Sequence, residues 1–422
     1  MGFLKQVPVR WHVTPPRLAR LATSAIAKAR SRTKIETREG SARDLAREST
    51  VLRENSGSRD ARKGVDAGEE ITLEAIMTMT QRARLVRTGW DEDLRIESCD
   101  EALPAPVGNQ VRVEVDACAV CYRDCIDRAG RFKFIRIPVT PGHEAAGRVT
   151  AVGPEVTEWA VGDRVATMHR DFCGACDPCT RGHSSLCEKA VAMLGLLIDG
   201  GYATHLLAPE RCFFRIPEAM PAIEAAALHC TFGTSYRGLK RVGRVEAGQH
   251  VLVTGANGGV GTAAIQVARR LGASVTAVVR DESHKEYLTE LGADEVIADP
   301  GDQFHKRLGG GQADVVMDCV GQPTFNASLR SLRPGGRMIL IGNVTEEMAI
   351  LNLGYMITRG LEVTGSSGAT REDMKDLLGL HQRHPLSIPI HQQMDLSQAD
   401  RAQRLVRAGG LRGRIVLVPP RG

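Results

Sequence analysis

No stretch of this 422-residue chain is apolar for long enough to cross a bilayer. The longest apolar run, Val191 to Ile198, falls far short of the roughly 20 residues a spanning helix needs, so no membrane partner is expected. A strong charge is missing too. The formal net charge is +5, and residues 1–64 carry 15 Lys and Arg against 6 Asp and Glu, so the remainder sums to −4. A body with that balance is not a nucleic-acid binder by charge. Acidic residues are absent from Met1 to Ile35, where Arg10, Arg17, Arg20, Lys28, Arg30, Arg32 and Lys34 recur among Ala, Ser and Thr. That is the composition of a mitochondrial transit peptide. From Glu36 to Glu70 the chain stays polar with no sustained apolar period, as disordered segments do. The other reading, towards which the composition leans, is that translation begins at Met77 or Met79. Leu73-Glu74-Ala75-Ile76 can be encoded by a purine-rich, ribosome-binding tract, and GC-rich untranslated DNA gives Arg- and Ala-rich sequence. Either way residues 1–78 are expected to stand outside the fold. The protein is expected in the cytoplasm, or in the mitochondrial matrix if the segment is a transit peptide.

A disulfide framework is also missing. Eleven cysteines are present, four of them in one cluster, which points to a reducing compartment. Cys173, Cys176, Cys179 and Cys187 are spaced by two, two and seven residues. Four thiolates at that spacing can close around one tetrahedral Zn²⁺ and leave no position open for chemistry. Gly174, Pro178 and Gly182 favour a tight, knuckle-like loop here instead of a helix or strand. Two disulfides or an iron–sulfur cluster are the alternatives.

Length allows two full-sized domains plus an extension. Val111 to Val115 alternates strictly, as a half-buried strand does. Arg148–Val152, Asp163–Met168 and Tyr202–Ala208 read as further strands between Gly and Pro turns, which suggests a small rolled β-domain. The run Gly142-His143-Glu144-x₂-Gly147-x₅-Gly153-x₂-Val156 lies between them, ahead of the cysteine quartet. Together they resemble the zinc-containing alcohol dehydrogenases of the medium-chain dehydrogenase/reductase superfamily, over residues 79 to 422. The resemblance implies an α/β fold: a GroES-like β-rich catalytic domain, 79–230 completed by 367–422, and a Rossmann doubly wound parallel sheet, 231–366.

It also implies two zinc ions. Cys173, Cys176, Cys179 and Cys187 match the structural site. Cys121, His143 and Cys230 match the catalytic one, a Cys₂His set described for alcohol dehydrogenases generally. Three protein ligands leave a fourth position for water or a substrate oxygen. Glu144 is expected as an occasional ligand or a partner of one, and Asp124 as the group that orients a ligand. Singly, each residue reads as a buried thiol or a turn histidine. Cys118, Cys125, Cys212 and Cys319 carry no such context.

His250–Thr254 is a short apolar run followed by Gly255-Ala256-Asn257-Gly258-Gly259-Val260-Gly261 and a helical pattern, with Ile265, Ala268 and Leu271 on one face and Gly272 at its end. Strand, glycine turn and helix form the context in which a backbone can approach a dinucleotide pyrophosphate, although Asn257 departs from Gly-x-Gly-x-x-Gly. Five more apolar runs follow at 274–279, 295–298, 314–319, 337–341 and 361–364, enough for a doubly wound sheet. After the second of these six runs, the acidic position that grips a ribose 2′-hydroxyl in NAD-binding domains holds Val279, and Arg280 follows. A carboxylate repels a 2′-phosphate, whereas Arg280, with Lys285 near it, can bind one. NADP(H) is therefore expected over NAD(H), with Asp281 as the contrary sign. By resemblance, Thr234 stands near the nicotinamide ring.

One departure bears on the substrate. Alcohol dehydrogenases carry Ser or Thr two residues after the first zinc Cys, and often His three residues beyond, to pass the alcohol proton to solvent. Here these positions are Arg123 and Ile126, which have no proton to pass. Arg123 is then available to hold an anionic group. Cys121-Tyr122-Arg123-Asp124, Tyr236-Arg237-Gly238-Leu239, Pro323-Thr324-Phe325 and Ile341-Gly342-Asn343-Val344 resemble acryloyl-CoA reductases of the same superfamily. The expected activity is zinc-dependent hydride transfer between NADPH and a carbonyl or activated alkene such as an enoyl-CoA thioester. Oxidation of primary or secondary alcohols is the alternative, and a zinc-stapled NADPH-binding scaffold without turnover is the non-enzyme one. A homodimer or homotetramer acting on a small-molecule substrate is the expected assembly.

Overall fold

The computed structural model describes residues 80–99, 103–345 and 347–421. The expectations for residues 1–78 fall outside the described residues. Among these residues no helix is long and apolar enough to cross a membrane.

Two sheets organise the chain. A hairpin of β1 (Thr80–Arg84) and β2 (Arg95–Cys99) comes first. The larger sheet has β3 (Gln110–Ala119) at its centre, paired antiparallel with β4 (Glu144–Val152), β6 (His205–Pro209) and β15 (Arg414–Val418). Beyond β4 come β5 (Arg164–Thr167) and β7 (Phe213–Arg215), and β14 (Ile390–Asp395) lies beyond β15. Val111, Val113, Val115 and Ala117 of β3 are all buried, so strict alternation fixes which face of the strand meets the core. The last two strands of the chain return to this first sheet. That return carries Arg414 to within hydrogen-bonding distance of Glu144.

The second sheet has the order β10-β9-β8-β11-β12-β13, every pair parallel. Its strands are β8 (His250–Thr254), β9 (Ser274–Val279), β10 (Glu295–Ala298), β11 (Ala313–Asp318), β12 (Leu332–Leu340) and β13 (Glu362–Gly365). Parallel strands covered on both faces read as continuous apolar runs, as β8, β9 and β11 do here. Strand order reverses direction between β8 and β11, and a ligand crevice opens at such a switch point. After β8 the helix Gly259–Arg270 buries Ala263, Ala264, Ile265, Val267 and Ala268. Gly272 follows with φ +85°, the left-handed residue that ends a helix.

Two details differ from the sequence reading. The cysteine-rich loop is not free of helix: Asp177–Thr180 makes one turn and Ser184–Leu186 a 3₁₀ turn. Pro178 is compatible with helix there, because a first-turn residue has no intrahelical N–H bond to lose. Between the lobes, Leu228–Val242 is continuous helix with two wide stretches, Leu228–Gly233 and Arg237–Val242, of i→i+5 geometry. Such bulges collect at functional sites; the first carries Cys230, and Thr234 follows it in the ordinary α-helical turn Thr234–Tyr236.

Candidate active site and metal centres

Cys121 ends the segment after β3 and caps the helix Tyr122–Arg128. Its Sγ accepts from the Arg123 N–H at 3.5 Å, and its own N–H donates to Asp124 Oδ2 at 2.9 Å, a reciprocal capping box. His143 stands just before β4, Glu144 opens that strand, and Cys230 lies in the wide helix. One ligand atom from each of Cys121, His143, Glu144 and Cys230 falls within 4.8 Å of all the others. The sulfurs of Cys121 and Cys230 are 3.8 Å apart. Sequence separations of 22 and 109 residues thus close on one point.

Asp124 does what an orienting group must. Its Oδ1 meets His143 Nδ1 at 2.9 Å, and Oδ2 also accepts from the Tyr202 hydroxyl at 2.9 Å. Since a carboxylate only accepts, Nδ1 carries the proton and Nε2 faces the thiols. His143 Nε2 and Glu144 Oε2 are buried with no hydrogen-bond partner. Two orphaned donor atoms beside two thiols fit a cation with bonds of about 2.0–2.3 Å, as zinc makes. Burial pushes the Glu144 carboxyl up to about 8, against the pull of Arg414. His143 is held at about 10; burial and Arg123 oppose this, and Asp124 and Cys121 outweigh them. The hydrogen bond from Cys230 takes Cys121 well below the usual thiol range and leaves Cys230 well above it. A cation seated here would displace those protons.

Arg414 was not legible beforehand. Its Nη2 donates to Glu144 Oε1 at 2.6 Å and to the Val120 carbonyl at 3.0 Å. Its Nη1 lies 2.8 Å from where a Cβ on Gly259 would sit. One guanidinium therefore joins the metal-site carboxylate to the glycine turn of the second sheet, and Gly259 is needed for it to fit. In the same turn Gly255 has φ +58°, and a Cβ on Gly261 would meet the Gly255 carbonyl oxygen at 2.4 Å. Asn257, Gly258, Gly259 and Val260 keep open surface at the head of the helix, the geometry that takes a phosphate. Thr234 is buried in the α-helical turn between the two wide stretches. Arg280 and Lys285 are both exposed past β9.

Arg123 is not poised freely. Its Nε donates to Asp127 at 2.9 Å and its Nη2 to the Leu194 carbonyl at 3.2 Å, which leaves Nη1 for anything else.

The cysteine quartet closes separately: Cys173, Cys176, Cys179 and Cys187 again lie within 4.8 Å of one another. Backbone N–H groups of Ala175 and Cys176 point at the Cys173 sulfur at 3.4 and 3.2 Å. They bring its thiol down to about 6, so the loop favours a thiolate before any ion is counted. Four sulfurs and no other donor suit a closed structural zinc.

The comparisons with known proteins agree with this geometry. Residues 108–218 match the alcohol dehydrogenase GroES-like domain, and residues 259–383 match the zinc-binding dehydrogenase family. Acryloyl-coenzyme A reductase of Sulfurisphaera tokodaii is 32% identical over 317 residues, 75% of this chain and 94% of that protein. An alcohol dehydrogenase of Geobacillus stearothermophilus is 33% identical over 313 residues, 73% of this chain and 91% of that protein. The crystal structure of a protein called AibC superposes with a TM-score of 0.77 at 36% identity, covering 85% of this chain and all of that one. With two such lobes and relatives of this kind, the chain belongs to the zinc-containing alcohol dehydrogenase family of the medium-chain dehydrogenase/reductase superfamily and is an NAD(P)-dependent oxidoreductase.

Proposed function

We propose that this enzyme uses NADPH to reduce an activated alkene such as an enoyl-CoA thioester, or a carbonyl. The observation that carries the alkene reading is the missing proton relay, which carbonyl reduction, as the reverse of alcohol oxidation, would need as well. Arg123 is committed to Asp127 and Leu194, and Ile126 has nothing to titrate. Alcohol oxidation must deliver a hydroxyl proton to solvent, whereas alkene reduction ends with a proton on carbon. A relative that bears the name acryloyl-coenzyme A reductase supports the same reading.

Bound zinc would polarise the substrate oxygen, and bound nicotinamide would supply the hydride. On an activated alkene that hydride would go to the β-carbon, with the α-carbon taking its proton from solvent. The chain's own part is positioning. Asp124 and Tyr202 fix the His143 ring, Arg414 neutralises the buried Glu144, and the glycine turn admits the pyrophosphate. Restoring the relay, as Arg123→Ser with Ile126→His, tests the assignment. Acid–base help of this kind is worth about 10²–10⁴ in rate, so alcohol oxidation should rise with the pair while thioester reduction does not. A rise in both, or in neither, counts against a reductase lacking the relay by design.

NADPH is preferred in this reading because of what surrounds Arg280. Asp281, the contrary sign in the sequence, spends its Oδ1 capping the turn 282–284 through the Ser283 N–H at 3.0 Å. Arg412 reaches the same turn by donating to the Ser283 carbonyl at 2.9 Å, so it brings a further cation to the turn that follows Arg280. A charged hydrogen bond is worth about 1.5–3 kcal/mol, and Arg280→Ala should weaken NADPH roughly 10- to 100-fold with little change for NADH. Titration of both cofactors decides it; equal losses would make Arg280 a support of the strand end.

A further inference from the structure

Two histidines stand beside the metal-ligand set without belonging to it. His169 lies two residues past the end of β5, where the Thr167 hydroxyl donates to the His143 carbonyl at 2.7 Å. His229 immediately precedes Cys230. Their rings are 5.3 Å apart and tilted by 39°. His229 is fully enclosed; its Nε2 donates to the Ala369 carbonyl at 3.2 Å, and its Nδ1 is a buried acceptor with no donor. The His169 side chain makes no hydrogen bond among the described residues and keeps part of its surface open. The loop after β13 presses on it: a Cβ on Gly368 would come within 2.5 Å of its Cε1. Leu194 ties it to the relay position, since its N–H donates to the His169 carbonyl at 3.0 Å while its own carbonyl accepts from Arg123.

The ring is pinned on two sides, spends neither nitrogen on a protein partner and keeps part of its surface open, so it is free to meet a ligand. Burial keeps His169 well below the usual histidine range, so the ring offers one N–H donor. We propose that His169 donates that N–H to the carbonyl oxygen of the substrate, as a second stabilising group beside the metal site, with His229 holding the ring in place. This rests on reading the cleft as the site of a thioester or carbonyl reduction. Negative charge gathers on that oxygen as hydride adds to the β-carbon. A neutral imidazole aimed at such an oxygen stabilises it without giving up its proton.

His169→Phe keeps a ring against Gly368 and His229 but removes the donor, and His169→Gln keeps an N–H. Losing one donor of this kind costs about 10²–10³ in kcat. The Phe variant should lose that much with enoyl-CoA thioester at saturating NADPH, with zinc content and NADPH Kd unchanged, and the Gln variant should recover part of it. Wild-type kcat in the Phe variant overturns the assignment. So do equal losses in Phe and Gln variants accompanied by a lowered thermal midpoint, which would make the ring structural. A wild-type enzyme that ignores enoyl thioesters but reduces aldehydes or ketones would fail the alkene reading alone. The variants are then compared on that carbonyl substrate, where the same kcat outcomes apply.

Discussion

Arg414→Met is expected to destabilise the protein by about 3–5 kcal/mol, because it strips a buried carboxylate of its counter-charge. Glu144 is fully buried, and its partner guanidinium lies 2.6 Å away. Methionine fills most of the volume but donates nothing to Glu144 or to the Val120 carbonyl. The loss should fall short of its upper limit, since burial already pushes the Glu144 carboxyl up to about 8 and it can escape by taking a proton. The same change removes the guanidinium packed on Gly259, so cofactor affinity should fall as well. Adding Glu144→Gln should recover much of the stability, because the two residues act as a pair. Chemical denaturation of both variants and their double mutant measures the coupling; strictly additive losses would show that the pair has no energetic existence.

Cys121→Ser should abolish turnover while the fold survives. Serine is a good N-cap, so the helix Tyr122–Arg128 keeps its start, and Asp124 keeps its bonds to His143 and Tyr202. What goes is a soft ligand, and with it a Lewis acid worth several kcal/mol in the transition state, or about 10³-fold or more in rate. Zinc content should fall towards one ion per chain, since the four-cysteine loop is separate. Full activity with serine at this position would remove Cys121 from the catalytic ligand set.

The sequence made some of this legible for identifiable physical reasons. The central strands β8, β9 and β11 show as apolar runs because both faces are covered. The cysteine quartet shows because all its ligands fall within 15 residues. Cys121, His143 and Cys230 were reachable only through family motifs, since their spacing carries no local signal. Arg414 had no signal at all: it is 270 residues from Glu144, and only the return of β15 to the first sheet brings them together. Tyr202, His169 and His229 were missed for the same reason, each being defined by a partner on another element. The wide helix at 228–242 lacks the regular 3.6-residue period that would have marked it, because i→i+5 turns shift the face that is buried.

The most direct test is a side-by-side rate measurement on the purified, zinc-loaded enzyme. NADPH consumption is followed with an enoyl-CoA thioester, aldehydes and ketones, and NADP⁺ reduction is followed with simple primary alcohols. Thioester reduction should be fast, and alcohol oxidation, together with its reverse on aldehydes and ketones, slower by about 10²–10⁴, the contribution of the absent relay. Rapid oxidation of a primary alcohol by the unmodified protein, with no reduction of the thioester, would contradict the proposed reaction.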